Sequence, residues 1–293
     1  MSFRLSLSRR WRAVDSQLCV GLDPDPARIP KHLGSGPEAI GAFCRAIVDA
    51  TADQVCAFKP QIAYFAAARA EPVLEALIAD IHERHPGIPV ILDAKRGDIG
   101  QTARQYAIEA FERYGADALT VSPFMGFDSI EPYLEWPGRG VFLLCRTSNP
   151  GGADFQSLSS DGERLFERIA RLAAGPWNRG GELGLVIGAT YPAELRRVRE
   201  LAPQLPLLVP GIGAQGGDVD ATVSAGVDAE GMGLVINSSR AVLYAGDDRD
   251  FAAAARRAAI AARDAIRKAI KGQPPLGLRP NGPRPETDGV RQA

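Results

Sequence analysis

Short apolar runs alternate with stretches of helical periodicity along almost the whole chain. The apolar runs predict strands at Gln17–Leu22, Ala57–Lys59, Pro89–Ala94, Ala118–Val121, Gly140–Cys145, Leu183–Ile187, Pro206–Val209 and Met232–Ile236. Helical patterns fill the intervals at Pro37–Thr51, Pro72–Arg84, Ile99–Tyr114, Phe127–Leu134, Ser160–Ala174 and Pro192–Ala202. Another runs from about Asp218 to Gly226, and an Ala/Arg-rich helix at Asp248–Lys271 closes the series. Eight strand–helix units predict a single-domain (β/α)8 barrel of the TIM type. A doubly wound open sheet is the alternative, but it would gather polar residues at one switch point. Here they collect at the C-terminal end of nearly every strand, where a barrel has its mouth.

Two segments fall outside that rhythm. Met1–Arg12 is Arg-rich and free of acids, a weak transit-peptide signal. The better reading is that Phe3, Leu5, Leu7 and Trp11 cover the bottom of the barrel. After Lys271, five prolines fall among glycines and charges, with little to bury. The barrel is therefore expected over 1–271 and a flexible, disordered tail over 272–293.

Composition narrows the function classes. The chain has 293 residues with a net charge of -1, from 34 Lys+Arg against 35 Asp+Glu. No basic excess points to nucleic acid, and no apolar run or basic amphipathic stretch points to a membrane. An anionic ligand must therefore be caught locally. Cys19, Cys44, Cys56 and Cys145 form no C-x-x-C pair and read as buried free thiols of a cytoplasmic protein. His32, His82 and His85 fall in loop or exposed helical positions, so histidine acid–base chemistry is not expected.

The strand ends carry the candidate chemistry. Asp23 ends the first strand, Lys59 the second, and Asp93 and Lys95 the third, with Asp98 just past Gly97. Strand alternation puts Asp93 and Lys95 on one face, with Ile91 one step deeper. Neighbouring barrel strands would bring these acids and lysines around one mouth, each holding the others ionised. Such a ring can be a structural salt-bridge network on the rim. It can also make lysine a proton donor or Schiff-base former, with electrostatics lowering the barrier. Asp23 and Asp25 could instead ligate Mg2+ with Asp93, although the lysines argue against it. After the seventh strand, Gly211-Ile212-Gly213-Ala214-Gln215-Gly216-Gly217 offers converging backbone N–H groups, and Arg240 follows the eighth. Loops after strands 7 and 8 are the usual phosphate site of barrels. Ser122 and Ser148 can hydrogen-bond a polar ring edge.

At Asp93-Ala94-Lys95-Arg96-Gly97-Asp98-Ile99-Gly100 the sequence resembles the orotidine 5′-phosphate decarboxylase family, in its longer bacterial (type 2) branch. The likeness extends to Cys19-Val20-Gly21-Leu22-Asp23-Pro24, Phe58-Lys59-Pro60-Gln61, Ser148-Asn149-Pro150-Gly151, the glycine loop and Ser239-Arg240. It covers about Leu18 to the end of the last helix.

The resemblance implies cofactor-free, metal-free decarboxylation of orotidine monophosphate (OMP) to uridine monophosphate (UMP) by a homodimer with shared sites. It makes Lys95 the proton donor to C6 and Asp93 the carboxylate beside the substrate carboxylate. Asp23 and Lys59 would hold the ribose and order the charges. Ser148 would read the pyrimidine, while Gln215, Gly216 and Arg240 grip the phosphate. Asp98 would serve the neighbouring subunit's site, and Thr102 would contact the ribose nearby. The competing readings are a Mg2+-dependent sugar-phosphate lyase or synthase of the same superfamily, and a non-catalytic phosphoribosyl-ligand sensor.

Overall fold

β-Branched and leucine-rich runs flanked by turn residues form eight parallel strands in the computed structural model, which describes residues 2–212 and 217–273. They are β1 (Leu18–Leu22), β2 (Ala57–Pro60), β3 (Ile91–Arg96), β4 (Ala118–Val121), β5 (Gly140–Arg146), β6 (Leu183–Ile187), β7 (Leu207–Pro210) and β8 (Leu234–Ser238). Their order in the sheet is β2-β1-β8-β7-β6-β5-β4-β3. Parallel bridges from Phe58 to Val90 and from Gln61 to Asp93 join the two ends. The result is the (β/α)8 barrel that the alternation predicts, not an open sheet.

Alternation along each strand sorts the side chains into two cores. Leu18, Val20, Leu22, Leu92, Leu119, Val121 and their counterparts face outward and pack under the helices. Cys19, Ala57, Ile91, Ala118, Phe142, Val186, Leu208 and Val235 fill the bore. All four cysteines are buried and free, and burial pushes their thiols up, Cys56 to about 12.

The floor of the bore is closed by a helix at Phe3–Val14, capped by Ser2 accepting from the Leu5 N–H at 3.2 Å. Phe3, Leu7 and Trp11 recur on one face and join the bore residues. Leu5 does not: it lies on the opposite face, 44% exposed, because helical spacing separates it from the other three. Phe3 meets Phe142 edge-on at 5.8 Å. Gly140 permits that approach, since a Cβ there would lie 2.3 Å from the Phe3 ring. The helix's arginines hold it to the barrel: Arg10 donates to the Val55 carbonyl at 3.0 Å.

Several boundaries differ from expectation. A further helix, Ile62–Ala67, follows β2 directly, capped by the Gln61 side chain. The expected helix from Ser160 begins at Leu165, because Ser159–Ser160 and Glu163–Arg164 pair as a small antiparallel hairpin. β3 runs past Ala94 to Arg96. The closing helix is Phe251–Lys271. Residues 274–293, the bulk of the expected tail, lie outside the described residues. Among the described residues, no helix is long and apolar enough to cross a membrane.

Candidate active site

The site is built on β3, where the strand departs from regular pairing. Its register against β4 steps from Leu92 opposite Leu119 to Arg96 opposite Val121, four residues on one strand against two on the other. Lys95 takes φ 48°, in the left-handed region that non-glycine residues rarely adopt. Asp93 and Lys95 therefore meet across a bulge and not by simple alternation. Arg96 is turned away, onto Glu109 at 2.8 Å and over the Tyr106 ring.

Asp93 is the hub. Its Oδ2 accepts from Lys59 Nζ at 2.9 Å, and its Oδ1 accepts from Lys95 Nζ at 2.6 Å and from the Thr120 hydroxyl at 2.9 Å. Burial alone would raise the Asp93 carboxyl, but Lys59 and Lys95 outweigh it and hold the carboxyl well below the usual carboxylate range. Lys59 is only 4% exposed. Burial opposes its charge, yet Asp93 and Asp23 overcome that and hold the ammonium above its ordinary value. Lys95 stands in the more open position, its side chain 48% exposed. The outcome is a fixed carboxylate flanked by one buried and one accessible ammonium.

These groups lie in the wall of a cavity of about 580 Å3 at the C-terminal mouth of the barrel. Asp23 and Asn237 contribute buried oxygens, Asp23 Oδ1 and Asn237 Oδ1, that have no hydrogen-bond partner among the described residues. Buried acceptors left unpaired in a cavity wall suit a ligand's hydroxyl donors. Ser148, Thr147 and Asn149 enter from the loop after β5, and Arg240 from the start of the short helix Arg240–Leu243 after β8. Arg240 makes no ion pair among the described residues, so its guanidinium is available to an anion. Gly211 and Ile212 line the cavity on the β7 side.

The sequence matches the model of the orotidine 5′-phosphate decarboxylase / HUMPS family over residues 16–256. The chain belongs to that family. An orotidine 5′-phosphate decarboxylase of Aromatoleum aromaticum is 68% identical over 269 residues, covering 92% of this chain and 99% of the relative. One from an Azoarcus species is 67% identical over 266 residues, 91% of this chain and 98% of the relative. The solved OMP decarboxylase of Leishmania donovani superposes with a TM-score of 0.81 at 40% identity, over 92% of this chain and 100% of that one. Family membership thus extends across the whole barrel, including every strand that carries a candidate residue.

Within this family member, Asp23, Lys59, Asp93, Lys95, Ser148 and Arg240 share one cavity. Gln215 and Gly216 lie outside the described residues. Asp98 and Thr102 are not in the cavity wall of their own barrel. The Asp98 Oδ1 accepts from the Ile99 N–H at 2.8 Å, and Thr102 is exposed on the following helix. Ser122 is also outside the wall; its N–H donates to the Arg96 carbonyl at 2.7 Å. Asp25 caps a short turn, accepting from the Ala27 N–H at 3.0 Å, and is not among the residues that line the cavity with Asp93.

Three contributors escape sequence reading. Thr120 looks like any β-branched strand residue, and Asn237 like part of a polar turn. Gln156 braces the β5 loop: its side-chain oxygen accepts from the Thr147 N–H at 2.9 Å. Under that loop, Arg146 is buried, bonded to Glu194 at 2.7 Å and stacked 3.8 Å over the Tyr191 ring. No motif announces this support, since its partners lie far apart in sequence.

Proposed function

We propose that the chain decarboxylates orotidine 5′-monophosphate to uridine 5′-monophosphate, the closing step of de novo pyrimidine synthesis, in the cytoplasm. The observation that carries the mechanism is the Asp93 carboxylate held between Lys59 and Lys95. The C6–carboxylate bond breaks and its electron pair stays on C6, in the ring plane, beyond the reach of the ring carbonyls. Fixed charge must stabilise that pair. The Lys95 ammonium stands beside the developing carbanion and delivers its proton to C6, regaining one from water afterwards. Asp93 orients Lys95 and lies against the departing carboxylate.

The remaining contacts are assigned by chemistry. Asp23 accepts hydrogen bonds from the ribose hydroxyls with its unpaired oxygen, beside Lys59. Ser148 bonds the pyrimidine amide. Arg240, with Gln215 and Gly216, grips the phosphate. That grip is remote from C6, so its binding energy can drive closure and water exclusion. The sugar-phosphate lyase reading draws no support here, because both Asp93 oxygens already serve ammonium groups.

The protein acts as a homodimer in this reading. Asp98 and Thr102 do not line their own cavity, and a two-fold partner would receive them. Mixing Asp98→Ala and Lys95→Ala homodimers tests this: activity reappears after subunit exchange if sites are shared, and stays absent if they are not. The primary test follows OMP absorbance with the wild type and Lys95→Ala. A turning-over wild type and a silent variant are expected; an inert wild type or a fully active variant overturns the assignment.

A further inference from the structure

The geometry points to Thr120 as a positioning residue for the proton donor, an inference that rests on the decarboxylase reading of the site. Thr120 faces the bore from β4 and is 1% exposed. Its Oγ1 accepts from the Ala94 N–H at 3.1 Å and the Lys95 N–H at 2.9 Å, and donates to Asp93 Oδ1 at 2.9 Å. A hydroxyl has one donor and two acceptor sites. Both lone pairs are committed to the two amides, so the hydroxyl proton has one direction left, toward Asp93. The donor cannot turn away without abandoning the amides.

Those amides belong to the bulge itself. The register step between Leu92 and Arg96 removes Ala94 and Lys95 from regular pairing with β4. Buried N–H groups left without an acceptor are costly. One hydroxyl satisfies both and so holds Lys95 at its left-handed φ of 48°. The same oxygen of Asp93 that takes the Thr120 proton also takes Lys95 Nζ, at 2.6 Å. Thr120 thus fixes the donor twice, through the backbone that carries it and through the carboxylate that orients it. It touches no reacting atom in this scheme; its effect passes through Asp93 and Lys95.

The test compares wild type with Thr120→Val, which keeps the shape and removes the hydroxyl, and Thr120→Ser, which restores it. With OMP, Thr120→Val is expected to lose roughly 10- to 100-fold in kcat, as displaced catalytic groups do. KM is expected to stay within about 3-fold, because the ribose and phosphate contacts are untouched. Thr120→Ser is expected to recover most of kcat. An unchanged kcat in Thr120→Val, or a loss confined to KM, overturns the proposal. If the valine variant fails to fold, Thr120→Ala is judged by the same split. Amide exchange at Ala94 and Lys95, read by NMR, is independent of turnover and is expected to accelerate in Thr120→Val. If wild type proves inert toward OMP, the decarboxylase reading fails, and the exchange measurement alone decides whether Thr120 holds the bulge. Unchanged exchange then overturns that too.

Discussion

Lys59 Nζ lies 2.9 Å from Asp93 Oδ2, and both side chains are buried beneath the barrel mouth. Removing one partner of such a pair leaves the other's charge poorly compensated. Lys59→Met is expected to lower stability by about 3 kcal/mol, near the low end for buried pairs because Lys95 and Thr120 still face Asp93. Urea unfolding midpoints at neutral pH check this. Activity should fall as well, since the carboxylate that orients Lys95 is loosened.

The same pair sets a pH signature. The depressed Asp93 carboxyl contributes stability that is complete above the ordinary carboxyl range, about pH 4, and is lost as pH falls through its lower folded value. The raised Lys59 ammonium contributes stability complete below about pH 10, lost as pH rises through its higher folded value. The stability gap between wild type and Lys59→Met is therefore expected to be flat from about pH 5 to 9 and to shrink at both ends. A urea midpoint series across pH measures it; a gap that changes through neutrality contradicts the assignment.

Gly21 on β1 faces the end of β8, where an added Cβ would fall 1.9 Å from Ser239 Oγ. Gly21→Ala must push Ser239 aside, and Arg240 is the next residue. The substitution is expected to cost about 1–3 kcal/mol in stability. It should also raise KM for OMP more than it lowers kcat. Steady-state kinetics beside thermal unfolding separates the two effects.

Arg240→Ala tests the anion grip directly. A hydrogen bond to a charged group contributes about 1.5–3 kcal/mol, so KM should rise by roughly 10- to 100-fold. Inhibition by inorganic phosphate should weaken in parallel. Retained phosphate inhibition would place the anion elsewhere.

Glu194→Leu strips the buried Arg146 of its carboxylate partner. A loss of about 3 kcal/mol is expected from the uncompensated guanidinium. The Thr147–Gln156 loop above it should loosen, read as faster amide exchange at Thr147.

The strands were the most legible part of the chain. Ala118–Val121 and Leu183–Ile187 form with the bounds that the apolar runs predict, because a strand buried on both faces is a continuous apolar segment. The charged residues at strand ends were legible for a related reason: a barrel leaves polar side chains few places other than its mouth. The Phe3–Val14 helix was hidden because its alternating Leu5 and Leu7 read as cover of no definite shape. The bulge at Lys95 was hidden more deeply. Local propensity disfavours a left-handed lysine, and only contacts from β4 make it tenable. Thr120 became visible as a functional neighbour only with that register step.

The Phe3–Val14 helix has a consequence for traffic through the molecule. With Phe3, Leu7 and Trp11 stoppering the lower bore, the barrel is closed at its floor among the described residues and opens at its C-terminal mouth. Carbon dioxide released beside Asp93 must leave by the doorway that the nucleotide occupies. The gas therefore either slips past a seated nucleotide or waits for it to go, so the two products share one way out.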